Sequence, residues 1–146
     1  GYLQGDAQVI TIHLPNLRLK NPLNNSQGMT RGGNIARSRE RKKIRVTVRD
    51  AVFWEIVASE RKISPRPPTM ALARGEGVTV QLTRISSGTL DAWDGLPASL
   101  KPVIDGIADA FALPDNDARF TWLPPKQQKS KPGIYGVRIE IETRTS

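Results

Sequence analysis

The chain has 146 residues, 38% hydrophobic and 25% charged, with a formal net charge of +8 at pH 7 and no cysteine. That length suits one domain, residues 1–146, with a real core; no apolar run reaches the roughly 20 residues of a membrane span, and disulfides, thiol nucleophiles and thiolate metal sites are excluded. A pI near 10.3 directs attention to a polyanion: nucleic acid, an anionic membrane surface or an acidic partner.

In chain order, residues 9 to 14 are rich in β-branched side chains and predict a first strand that stops at Pro15. Residues 15 to 33 have the Pro, Asn and Gly content of a loop. From 34 to 62, Ile44, Val48, Val52 and Ile56 step by four with Ala51 on the same side, which predicts a helix with Asn34 as its N-cap. The strand-like alternation of Ile44 to Val48 is outweighed because the step of four persists beyond it. Ser64-Pro65-Arg66-Pro67-Pro68 ends that element, Arg74-Gly75-Glu76-Gly77 is a turn, and residues 78 to 85 form a second strand.

A second helix fits residues 97 to 112, with Leu96, Leu100, Val103, Ile104, Ile107 and Phe111 along one stripe. Pro102 in its interior predicts a kink, or a true start near Lys101. Residues 120–123 and 134–141 read as two more strands, joined by a basic, flexible-looking loop. The order β-α-β-α-β-β predicts a small mixed sheet of about four strands with two helices, of α/β or α+β class. Trp54, Trp93 and Trp122 are expected in the core, and His13, the sole histidine, is expected to be structural on a core strand. One His and no Cys give no support to zinc hydrolysis or to Ser-His and Cys-His triads.

The charge is uneven. Residues 31 to 45 carry Arg31, Arg37, Arg39, Arg41, Lys42, Lys43 and Arg45 against Glu40 alone. Such a run neutralises phosphates and releases their counterions, favouring DNA or RNA without reading sequence, and Lys126, Lys129 and Lys131 extend the basic surface. The plainer reading is a solvated helix face. Neither the start of the chain nor its cysteine-free composition has the marks of secretion, so a cytoplasmic location is expected.

Six of the 14 acids fall between residues 90 and 117, all aspartates: Asp91, Asp94, Asp105, Asp109, Asp115 and Asp117, with Lys101 as the one base among them. Hard carboxylates inside a basic chain suit a divalent cation, Mg²⁺ or Mn²⁺, held against a bound polyanion. The metal would polarise a scissile phosphate, and Lys101 would steady its charge. Asp91 and Asp94 precede the second helix, whereas Asp115 and Asp117 follow it. A helix of about 15 residues is roughly 23 Å long. The two pairs therefore share a metal only if Pro102 breaks the helix or the chain at Asp115 returns along the sheet edge. The plainer readings are a surface pair for Lys101 and Asp105, four apart, and a turn for Asp115-Asn116-Asp117.

A strand, then Leu90-Asp91-Ala92-Trp93-Asp94-Gly95-Leu96, then Lys101-Pro102-Val103-Ile104-Asp105-Gly106-Ile107, then Asp115-Asn116-Asp117 resembles the RusA family of Holliday junction resolvases, especially its phage and prophage members. The resemblance covers mainly residues 90 to 123. It implies a RusA-like fold and a homodimeric, Mg²⁺-dependent endonuclease that cuts four-way DNA junctions in recombination and repair. It implies catalytic roles for Asp91, Asp94, Lys101 and Asp115, and metal ligation by Asp91, Asp94, Asp115 and the additional Asp117. Ala92 competes with Asp91 for the first aspartate position. Gly95 stands where the family has Asn, and Pro114 where it often has an acid. The loss of that Asn side chain beside the metal leaves open a less active enzyme or a homologue that binds DNA without cutting it. A basic RNA- or ribosome-associated protein, its aspartates serving only turns, is the third reading.

Overall fold

The computed structural model describes residues 7–20, 31–63, 77–90 and 95–144. They form a mixed five-stranded sheet with two helices, α1 (Arg31–Ile63) and α2 (Gly95–Ala110). The strands are β1 (Ala7–Pro15), β2 (Val78–Ser86), β3 (Phe120–Trp122), β4 (Lys126–Lys129) and β5 (Gly136–Arg144), giving the order β-α-β-α-β-β-β. The sheet runs β1-β5-β2, with both β3 and β4 on the far side of β2. β1 and β2 flank β5 antiparallel, while β3 and β4 are parallel to β2.

The strand alternation sets one apolar sheet face. Rows across β1, β5 and β2 read Ile10–Ile141–Val80, then Ile12–Ile139–Leu82, then Leu14–Val137–Arg84, and all but Leu14 are buried. The helices supply the other half of the core. In α1, Ile44, Val48, Val52 and Ile56 are buried, and in α2, Leu96, Leu100, Val103 and Ile107 are. α1 and α2 pack closely at Gly106, where a Cβ would stand 2.6 Å from the Arg45 carbonyl oxygen and 2.8 Å from Val48 Cβ.

Several expectations are corrected. α1 begins three residues before Asn34, so Asn34 is inside the helix and not its cap. α2 runs without a break from Gly95 to Ala110 through Pro102. An interior proline costs about 3 kcal/mol, but Leu100, Val103 and Ile107 are each no more than 1% exposed, and burying each contributes about 1.5–3 kcal/mol. Packing therefore outweighs the missing hydrogen bond. The presumed loop at 124–133 contains β4, a fifth strand, and the last strand begins at Gly136 rather than residue 134. Trp54 is 64% exposed on α1, not in the core, while Trp122 does pack against the core. Trp54 lies two residues beyond Val52, about 200° around the helix from it, which turns it away from the buried stripe. His13 is exposed, on the opposite sheet face from Ile12 and Leu14. Trp93 and the turn at 74–76 lie outside the described residues. Among the described residues, no helix is long and apolar enough to cross a membrane.

Candidate metal and nucleic-acid site

The end of α2 decides where Asp115 goes. The Leu113 amide donates to the Ala108 carbonyl and the Ala112 amide to that of Asp109, at 3.1 and 3.0 Å. Ala112 takes a left-handed φ of 57°. This is the paired bonding of a Schellman cap, with Ala in the place that usually favours Gly. The cap reverses the chain, and residues 113–117 run back beside the helix. The Trp122 indole N–H then donates to the Asp115 carbonyl at 2.8 Å, and Lys101 Nζ meets Asp115 Oδ2 at 2.6 Å. Lys101 and Asp115, apart in sequence, are thus adjacent, and the return of the chain rather than a break at Pro102 joins them.

Lys101 Nζ also lies 3.1 Å from Asp105 Oδ1, so the plain i,i+4 pair exists. On the next turn Arg45 of α1 grips Asp109 with two parallel bonds, Nε to Oδ2 at 2.5 Å and Nη2 to Oδ1 at 2.8 Å, and stands 4.0 Å from Asp105. The order along this seam is Asp109, Arg45, Asp105, Lys101, Asp115, with signs alternating. The Arg45 hydrogen bonds hold the Asp109 carboxyl below the ordinary carboxylate range, and those from Lys101 do the same for Asp115. The Lys101 ammonium is correspondingly raised, first by its bond to Asp115.

Asp117 faces a different partner. Its oxygens accept from Arg119 Nε at 2.8 Å, Nη2 at 2.9 Å and the backbone amide at 3.0 Å. These bonds hold its pKa down to about 2. With the Asp117 amide on the Pro114 carbonyl, the segment is the aspartate-stabilised turn of the plainer reading. Asp91 and Asp94 lie outside the described residues. Among the described residues, no three acids or histidines gather closely enough to hold a metal.

The basic run forms a ridge on the exposed side of α1. Arg39, Arg41, Lys42 and Lys43 are exposed and make no ion pair with any residue whose side chain is described. Arg37 is half-buried, and the Arg31 side chain lies outside the described residues. A groove of about 480 Å³ runs along the α1–α2 seam, with Arg41, Lys42, Arg45 and Arg49 on one wall and Lys101, Asp105 and Asp109 on the other. Lys126 and Lys129 lie exposed on β4, and Lys131 in the segment after it. Sequence reasoning missed Arg18, Lys20 and Arg84, which are dispersed in the chain; the fold brings Arg18 and Lys20 beside α1 and Arg84 against the Leu19 backbone. An arginine in a β-branched alternation was the one available clue to Arg84.

No protein-family model matches the chain, and no solved structure matches it. Among curated proteins it is 31% identical over 88 residues to Protein MK0488 of Methanopyrus kandleri, a stretch that covers 60% of this chain and 40% of that protein. The chain thus spans about two fifths of the length of that relative.

Proposed function

We propose that this chain is a RusA-like, Mg²⁺- or Mn²⁺-dependent, structure-selective DNA endonuclease that acts on four-way junctions as a homodimer in the cytoplasm. The observation that carries the reading is the meeting of Lys101 and Asp115 at 2.6 Å beside the groove walled by α1 cations. Those are the helix lysine and downstream aspartate of the RusA-like pattern, joined by the chain reversal at Ala112. A four-way junction presents two symmetric strands, and a two-fold protein answers them with two identical sites.

The donor chemistry fits the ion. Asp91, Asp94 and Asp115 offer hard oxygens of the kind Mg²⁺ and Mn²⁺ take, without competing thiolate or imidazole. Bound there, the ion supplies Lewis-acid polarisation of the scissile phosphate. The chain's own residues bind and orient the substrate. The α1 ridge holds backbone phosphates, and Lys101 moves between Asp115 and a phosphate oxygen.

The pairing of Asp105, Asp109, Asp115 and Asp117 with Lys101, Arg45 and Arg119, together with Gly95 in place of Asn, favours a second reading: a junction-binding homologue that does not cut. A synthetic four-way junction incubated with and without Mg²⁺ separates the two. The nuclease reading expects Mg²⁺-dependent, paired incisions that D94N and D115N each reduce at least a hundredfold. Tight binding with no incision by the unaltered protein selects the second reading, and neither binding nor incision refutes both.

A further inference from the structure

A second concavity, of about 120 Å³, lies where the segment after β1 meets α1 and the first half of α2. Among the described residues its lining carries Arg18, Lys20, Arg37 and Arg41 with Glu40 as the one acid, and its buried part is mostly apolar, with Leu19, Ile44 and Pro102 beside Ser99. Arg18, Lys20 and Arg41, all exposed, bring like charges to the edge of a small hollow, where they repel one another.

Behind the floor is Arg84, buried at 8% exposure. It ends the third row of the core sheet face, beside Val137 and Leu14, where an aliphatic side chain belongs. Arg84 Nε and Nη2 donate to the Leu19 carbonyl at 3.3 and 3.1 Å, and Nη1 donates to the Gly88 carbonyl at 3.0 Å. Only neutral carbonyls receive these bonds, and no ion pair joins Arg84 to a described carboxylate. Burial, and then the like charge of Arg18, pull its pKa below the ordinary arginine value. An uncompensated buried cation is costly. Here it fixes the backbone of Leu19, and so sets Arg18 and Lys20 on either side of the hollow. Arg84 is a positioning residue, and it adds positive potential beneath the rim.

We infer that this hollow is a seat for one phosphodiester of a nucleic-acid strand, the phosphate on Arg18, Lys20 and Arg41 and the sugar against Leu19, Ile44 and Pro102. The size admits one such unit, and the apolar floor suits a sugar better than a bare ion. Arg41 also walls the α1–α2 groove, so a strand lying in that groove continues into the seat without leaving the protein. The inference rests on the nucleic-acid part of the function proposed above.

Affinity for a four-way junction, measured against salt in EDTA so that no cleavage occurs, tests it. K20Q and R18Q/K20Q remove exposed cations from the rim. R138Q removes one cation from the opposite face of the sheet and serves as the charge-matched control. The seat predicts a plot of log affinity against log salt flattened by about one unit in K20Q and about two in R18Q/K20Q, with R138Q unchanged. Equal flattening by K20Q and R138Q, or none in either, overturns the seat while leaving junction cleavage to be judged separately in Mg²⁺. A second arm compares inorganic phosphate with chloride at equal ionic strength. If phosphate raises the melting temperature through Arg18 and Lys20 while the DNA slopes of the variants match wild type, the hollow takes free phosphate and the strand assignment is wrong. Melting in chloride verifies that each variant is folded. Should R18Q/K20Q be unstable because Arg18 no longer covers the Tyr135 ring, K20Q alone decides.

Discussion

In the N-terminal half of α1, Arg39, Arg41, Lys42 and Lys43 stand exposed with no ion pair to any residue whose side chain is described. One turn further on, Arg45 is clamped on Asp109 and Arg49 on Asp50, over a stripe of buried Val48, Val52 and Ile56. The same helix thus treats its cations in two ways. Beyond Ile44, Arg45 and Arg49 are matched by acids of the fold itself, and the helix packs against α2. Arg39, Arg41, Lys42 and Lys43, before Ile44, are left to water and to whatever anion arrives.

The comparison predicts that the two halves fail differently. The largest expected effect is on stability. Ile56→Ala, at a site 2% exposed, should lower unfolding free energy by about 2–5 kcal/mol and leave the salt dependence of DNA binding untouched once folded protein is counted. Denaturant titration beside a binding isotherm checks it. A changed salt slope would show that the halves are not separable.

Next comes the helix seam. Gly106→Ala places a methyl against the Arg45 carbonyl and Val48, an overpacking that should cost about 1–3 kcal/mol. A destabilisation below a few tenths would mean that α1 and α2 can separate freely, and the fixed relation of the ridge to Lys101 would go with it.

A smaller effect is expected from the Arg45–Asp109 pair. A double-mutant cycle of R45M and D109N should return no more than about 1 kcal/mol, because Arg45 is half exposed and solvent screens it. The folded Asp109 pKa is lowered, so this stability is present above the ordinary carboxylate value of about 3.9. It is lost as pH falls through the folded value. The coupling should therefore be flat from pH 7 to about pH 5 and disappear in acid. A coupling that grows in acid would contradict the assignment.

The two helices and four of the five strands are legible in the sequence because each buries a periodic stripe, and burial is what periodicity records. The step of four from Ile44 to Ile56 survives in α1 as a buried line. β4 is not legible. Lys126-Gln127-Gln128-Lys129 has no apolar alternation, and it is held as an edge strand by its ladder to β2 and by one side-chain clasp. The Gln127 amide donates to the Leu90 carbonyl at 2.8 Å, and its oxygen accepts the Leu90 amide at 2.7 Å. Pro102 misleads because local propensity carries no information about how much tertiary burial opposes it. Within the site, helix length leaves the return of the chain at Asp115 as one of two options and does not set it against Lys101. The physical cause of that return, a left-handed Ala112, leaves no compositional trace, since Gly is the residue that would advertise such a turn. Arg45 as the partner of Asp109 belongs to helix packing, which spacing within either helix cannot show.

The most direct measurement is the salt dependence of four-way-junction affinity, in EDTA, for the variant R39A/R41A/K42A/K43A beside the unaltered protein. If Arg39, Arg41, Lys42 and Lys43 form the nucleic-acid surface, the slope should flatten by about one unit for each phosphate no longer neutralised, up to about four, with the melting temperature nearly unchanged. An unchanged slope at unchanged stability would make the ridge a solvated helix face and contradict its assignment as the nucleic-acid surface.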